Sequence, residues 1–143
     1  MIIKSFKDLN KESTLIAGGK GASLGEMYNA NFGVPNGFVV VSSVLNQILE
    51  LSGIDKKIKE ILSKLDFGNE KQIDNASKQI EKLVFGITLP DNIAKEITNA
   101  FDNLDCEYVA VRSSATTEDG TEQSWAGQFE SYLNVKKKDL CKR

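Results

Sequence analysis

Three groups of residues in this chain have types and spacings suited to holding an anion. The first is Gly18-Gly19-Lys20-Gly21-Ala22-Ser23, in which small residues and one long cation precede Leu24, Met27 and Tyr28 at helical spacing. A helix starting near Lys20 presents free N–H groups and the positive end of its dipole, both of which favour a phosphate. The spacing is not that of a Walker A loop, because the glycines before the lysine are placed differently and no Lys-Ser or Lys-Thr pair follows. Taken alone, the motif also reads as a plain turn into a helix.

The second group is a single residue, Arg112, at the end of the β-rich run Glu107-Tyr108-Val109-Ala110-Val111-Arg112. A planar guanidinium there can grip phosphate oxygens two at a time. Its alternative is a structural ion pair with Glu118, Asp119 or Glu122. The third is the polar, glycine-punctuated stretch from Ser113 to Gly127, with hydroxyls at Ser113, Ser114, Thr116, Thr117, Thr121 and Ser124. Such a segment can fold over a triphosphate as a lid, provided its carboxylates point away, pair with cations or meet magnesium. A surface hairpin is the alternative, with Trp125 as its packing anchor.

The elements that position these groups follow from periodicity. Ile2-Ile3 with Phe6 predicts a short opening strand, then a polar turn from Lys7 to Ser13. Gly33-Val34-Pro35-Asn36-Gly37 is a turn by composition, and Phe38-Val39-Val40-Val41 predicts a buried strand. Ser42 or Ser43 can cap a helix carrying Val44, Leu45, Ile48 and Leu49. Three further apolar faces at helical spacing follow: Ile54, Ile58, Ile61, Leu62 and Leu65; Ile73, Ile80, Leu83 and Val84; and Ile93, Ile97, Phe101 and Leu104. These predict core-facing amphipathic helices without chemistry of their own. Phe129 to Val135 resumes strand alternation, so the 113–127 loop is held between two strands like a hairpin flap.

The bulk numbers narrow the functions. With 143 residues, 41% hydrophobic, the chain suits one domain or part of one. A net charge of -2 lacks the basic footprint of a nucleic-acid binder. No run approaches the roughly 20 apolar residues of a membrane span, and Met1 to Phe6 opens no signal peptide, so the expected address is the cytoplasm. Cys106 and Cys141 fit no zinc pattern or disulfide framework and are expected as free thiols. The chain has no histidine, which removes Ser-His-Asp triads, Cys-His pairs and internal phosphohistidine relays. Phosphoryl transfer, which works by positioning and electrostatics, is the reaction class that remains most accessible.

Taken together, Ala17 to Met27, Gly33 to Phe38, Val109 to Asp119, Trp125-Ala126-Gly127-Gln128 and Tyr132-Leu133-Asn134-Val135 resemble the N-terminal nucleotide-binding domain of phosphoenolpyruvate synthase and its relatives, the pyruvate phosphate dikinase family. The resemblance implies an α+β fold, the N-terminal subdomain of an ATP-grasp-like nucleotide-binding domain, incomplete and occupying residues 1–143. It implies ATP as ligand, with Lys20 and Arg112 on the phosphates, Arg112 in the catalytic role, Gly127 letting the flap backbone approach and Ser131 offering its hydroxyl where relatives commonly carry threonine. Mg2+ is expected too, its ligands outside this chain. The implied activity is ATP-dependent phosphorylation of pyruvate through a phosphohistidine on another domain. The missing partners are therefore a second ATP-binding subdomain and the phosphohistidine domain, and the isolated chain is expected to be inactive. Rifampicin phosphotransferase and a non-catalytic nucleotide-binding module are the rival readings.

Overall fold

The computed structural model describes residues 2–116 and 130–142. Its elements are mixed: two small antiparallel sheets and five helices among the described residues, an α+β arrangement in the coarse sense. None of these helices is long and apolar enough to cross a membrane. The chain divides into two compact units, Met1–Ser43 with Asp91–Arg143, and Val44–Pro90.

In the first unit, β1 (Ile3–Ser5) pairs antiparallel with β2 (Phe38–Val40), with Lys4 opposite Val39. The Phe38 run was expected to be a buried strand. Phe38 and Val39 are half-buried, Val40 is exposed and Val41 is buried; among the described residues β2 pairs with β1 alone. The polar stretch after β1 forms two 3-10 turns, Phe6–Asp8 and Lys11–Ser13, the second closed by a reciprocal cap between Asn10 and Ser13. Helix α1 (Thr14–Asn29) follows and is broken at Gly18. A full helical turn therefore precedes the expected start near Lys20.

The buried face of α1 is made of small residues, Ala17, Gly21, Ala22 and Gly25 among them, while Leu15, Ile16 and Met27 are exposed. Removing side-chain bulk lets neighbours close in. A Cβ added at Gly25 would lie 2.5 Å from Leu9 Cβ, and one at Gly21 would lie 3.0 Å from Val39 Cγ2. Phe6, Leu9 and Ala17 form the core on this side, joined by Leu24, Tyr28, Val34 and Val39. The Asn29 side chain donates to the Leu9 carbonyl at 2.8 Å, fixing the incoming turn to the end of α1.

The unit is completed by α5 (Asp91–Asp102) and the hairpin of β3 (Val109–Arg112) and β4 (Ser131–Val135). Ile93 and Phe101 are buried, as the helical spacing predicts. Phe101, Val135 and Leu140 form a second core cluster, against which Phe38 of β2 packs along with Ile97 and Val111. The pairing is not a plain alternation. Val109 faces Val135 but Val111 faces Tyr132, so Ala110 is opposed by both Leu133 and Asn134, a β-bulge in which Asn134 takes a φ of 54°.

The second unit holds α2 (Ser43–Ser52) beyond its first residue, α3 (Ile54–Ser63) and α4 (Glu70–Phe85), the last capped by the Asn69 side chain. Helices α3 and α4 pack together. Only Val44, Ile54 and Ala76 are fully buried, and Leu62, Ile73 and Val84 keep substantial exposure. The core-facing amphipathic helices expected here therefore leave much of their apolar stripes exposed.

Candidate functional site

The break in α1 is the centre of the site. Gly18 has φ 68° and ψ 169°, a combination essentially closed to residues with a Cβ. The carbonyls ahead of the break find partners elsewhere in the chain: Leu15 accepts from Ser42 Oγ at 2.8 Å, Ile16 from the Ser42 N–H at 2.9 Å, and Ala17 from Ser114 Oγ at 2.9 Å. Ser42 thus serves the carbonyls of α1. On the far side of the break, the Gly19 N–H donates to the Ala115 carbonyl at 3.1 Å and the Gly21 N–H to Ser114 Oγ at 3.2 Å.

These bonds alter two expectations. Two of the amides proposed to cradle a phosphate are already paired, with residues that follow Arg112. The Ser114 hydroxyl, one of those expected to face a triphosphate, is instead bonded on both sides, giving its proton to Ala17 and accepting from Gly21, which uses its single donor and an acceptor position. Ser113 is engaged as well, donating its hydroxyl proton to the Glu130 carbonyl at 3.1 Å. The glycine motif is thus a docking turn for the strand end that carries Arg112. Gly18 allows the closest approach, since a Cβ there would stand 2.2 Å from Ser114 Oγ and 2.7 Å from the Ser114 carbonyl carbon.

Lys20 and Arg112 line one cavity of about 760 Å³ within the first unit. Its wall includes Asn36, Phe38, Tyr108 and Ser114, and much of it is apolar. Among the described residues, Lys20 and Arg112 are the charged side chains on that wall. The volume falls in the range of roughly 300–1,000 Å³ typical of small-molecule sites. Two cations on a partly apolar wall suit a ligand with an anionic end and a flat apolar body.

The other candidates are distributed differently. Ser131 stands directly opposite Arg112 in the hairpin and is exposed, but it lines a separate hollow of about 260 Å³ along β4. Gly127, Trp125 and most of the 113–127 flap lie outside the described residues, as do Glu118, Asp119 and Glu122. Strands β3 and β4, on either side of that stretch, pair antiparallel. Both cysteines are free; Cys106 is exposed on the cavity wall, and burial pushes the Cys141 thiol pKa up.

The sequence offered Ser114 as one of six loop hydroxyls and Ser42 or Ser43 as a helix cap; the bonds that Ser114 makes to Ala17 and Gly21, and Ser42 to Leu15, were not anticipated. The small residues Gly21 and Gly25, four apart in the sequence, mark instead where Val39 and Leu9 approach the helix closely.

A family model described as the pyruvate phosphate dikinase AMP/ATP-binding domain matches residues 14–143. A probable phosphoenolpyruvate synthase of Methanocaldococcus jannaschii is 45% identical over 136 residues, covering 90% of this chain and 11% of that protein. The phosphoenolpyruvate synthase of Helicobacter pylori is 40% identical, covering 95% of this chain and 18% of that protein, and that of Pyrococcus furiosus is 34% identical, covering 93% and 21%. The chain thus spans between 11% and 21% of the length of these relatives. With a matching model over nearly its whole length, the chain belongs to the pyruvate phosphate dikinase AMP/ATP-binding domain family.

Proposed function

We propose that this chain forms the first part of the ATP-binding domain of a phosphoenolpyruvate synthase, the N-terminal subdomain of an ATP-grasp-like module. The observation that carries the reading is the placement of Lys20 and Arg112 on one cavity with a largely apolar wall. ATP fits that wall in kind: its phosphates match the two cations and its base matches the apolar surface. Lys20 contributes a compact positive charge, and Arg112 a planar fork that holds phosphate oxygens in a fixed orientation as charge redistributes during transfer. Gly127, by its lack of a side chain, lets the flap approach the phosphates, and Ser131, opposite Arg112, offers a hydroxyl at the flap's return.

The phosphoryl group passes to a histidine and from there to pyruvate. None of the 143 residues is a histidine, so the acceptor is brought to this site from outside them. A second nucleotide-binding subdomain closes the cleft in the same reading, which the greater length of the phosphoenolpyruvate synthases supports. Magnesium is the ion a bound triphosphate carries. Among the described residues, no group of three Asp, Glu, Cys or His side chains is placed to ligate it, and no step is assigned to it.

The test is made in the full-length protein. Arg112→Ala should lower ATP-dependent histidine phosphorylation by about 10³ or more, the loss that follows removal of an arginine from phosphoryl-transfer sites. Lys20→Ala should weaken ATP binding and turnover together. Near-normal single-turnover rates in the Arg112 variant would remove Arg112 from the chemistry.

A further inference from the structure

Lys20 and Arg112 lie 92 residues apart, on a helix and on a strand end, yet a short hydrogen-bonded path connects them. Lys20 sits between Gly19 and Gly21, whose amides donate to Ala115 and Ser114, and Ser114 follows Arg112 by two residues. The same Ser114 hydroxyl donates to Ala17 on the other side of the Gly18 break. One side chain therefore bonds both flanks of the break and ties them to the strand end. Close contact between Gly18 and Ser114 leaves no room for a side chain that would loosen the joint.

We infer that Ser114 is a positioning residue for ATP, acting through Lys20: its hydroxyl holds the broken helix so that the lysine and Arg112 face the same phosphates. The Gly19 and Gly21 amides then keep their protein partners and do not become phosphate donors. This inference rests on the reading of Lys20 and Arg112 as phosphate ligands, and it gives Ser114 a role distinct from contact with the nucleotide.

A double-mutant cycle in the full-length protein decides it, with calorimetric ATP dissociation constants for wild type, Ser114→Ala, Lys20→Ala and the double variant. Ser114→Ala should weaken ATP about tenfold, a coupling within the range seen for residues that act together. Ser114→Thr, which keeps the hydroxyl, should recover most of that loss. On the Lys20→Ala background the same Ser114→Ala change should cost less than about twofold, because the group it positions is gone. An equal further loss on both backgrounds, or normal ATP affinity in Ser114→Ala, overturns the inference while leaving the reading of Lys20 intact. Normal affinity in Lys20→Ala alone, with Ser114 untouched, overturns that underlying reading and this inference with it. Hydrogen exchange of the wild-type protein gives an answer independent of any variant's folding. The Gly19 and Gly21 amides should be protected without nucleotide and unchanged with ATP; free exchange, or protection appearing only with ATP, would show that the latch is absent or that phosphate takes its place.

Discussion

Gly18 and Gly53 have nearly the same backbone φ, 68° and 67°, one in each compact unit, yet they are glycines for different reasons. Gly53, with ψ 11°, is an ordinary left-handed residue between α2 and α3, and a Cβ added to it would meet nothing within 4 Å. Gly18, with ψ 169°, lies in a region that only glycine adopts comfortably, and a Cβ there would collide with Ser114. The first unit is held by close approaches between segments far apart in sequence, such as Ser114 on Ala17 and Gly21. The second shows local contacts instead: helix-spaced apolar residues and exposed pairs four residues apart, Glu60 with Lys64 at 2.6 Å and Asp74 with Lys78 at 2.7 Å. Ser114, which makes the approach to the Gly18 break, lines the same cavity as Lys20 and Arg112.

The largest expected effect tests the close approach. Gly18→Ala combines backbone strain of about 1–3 kcal/mol with overpacking of about 1–3 kcal/mol, so urea unfolding should show a loss of about 3 kcal/mol or more. Gly53→Ala should cost about 1–2 kcal/mol, from left-handed backbone alone, and Gly53→Asn distinctly less because asparagine visits that region readily. Equal losses for alanine at the two positions would break the comparison, since it would mean that contact with Ser114 adds nothing.

The smallest effect concerns the surface of the second unit. The hydrogen bond from Lys64, and then its charge, holds the Glu60 carboxyl below its ordinary value of 4.5. A carboxylate lowered in the folded state stabilises the fold above its unfolded value and loses that contribution as pH falls through the lowered one, so the relevant window lies on the acid side of 4.5. NMR titration should show Glu60 returning toward its ordinary value in Lys64→Ala. Acid unfolding of the same variant should follow wild type closely, because a solvent-exposed pair adds little. A marked loss of acid stability would place the second unit's surface among its structural supports.

What could be read in advance follows the same division. Ile54, Ile58 and Ile61, or Ile93, Ile97 and Phe101, mark helices by local spacing, which depends on nothing beyond neighbouring residues. Arg112 ends β3 as its β-rich run predicts, whereas Lys20, expected at a helix start, lies just past the Gly18 break inside α1. The partners of Ser114 were not legible, because Ala17 and Gly21 lie 97 and 93 residues away, and a hydroxyl in a polar loop carries no mark of where it will bond. Nor does the sequence mark the irregular pairing in β4: Tyr132 to Val135 reads as regular alternation, and only tertiary packing, with both Tyr132 and Val135 turned to the Phe101 cluster, requires the extra residue.

That extra residue makes the hairpin a matter of odd and even. A pleated strand assigns side chains to its two faces by parity, and the pair Leu133-Asn134 opposite Ala110 resets the count once between Tyr132 and Val135. Removing one of the pair would take out the bulge and return the stretch to plain alternation, with the two core residues still on one face. Removing both would make Tyr132 and Val135 neighbours on opposite faces, so one of them would have to leave the cluster. The return strand therefore accepts the loss of its extra residue and resists the loss of the pair, a constraint set by counting, which no substitution at a single position would expose.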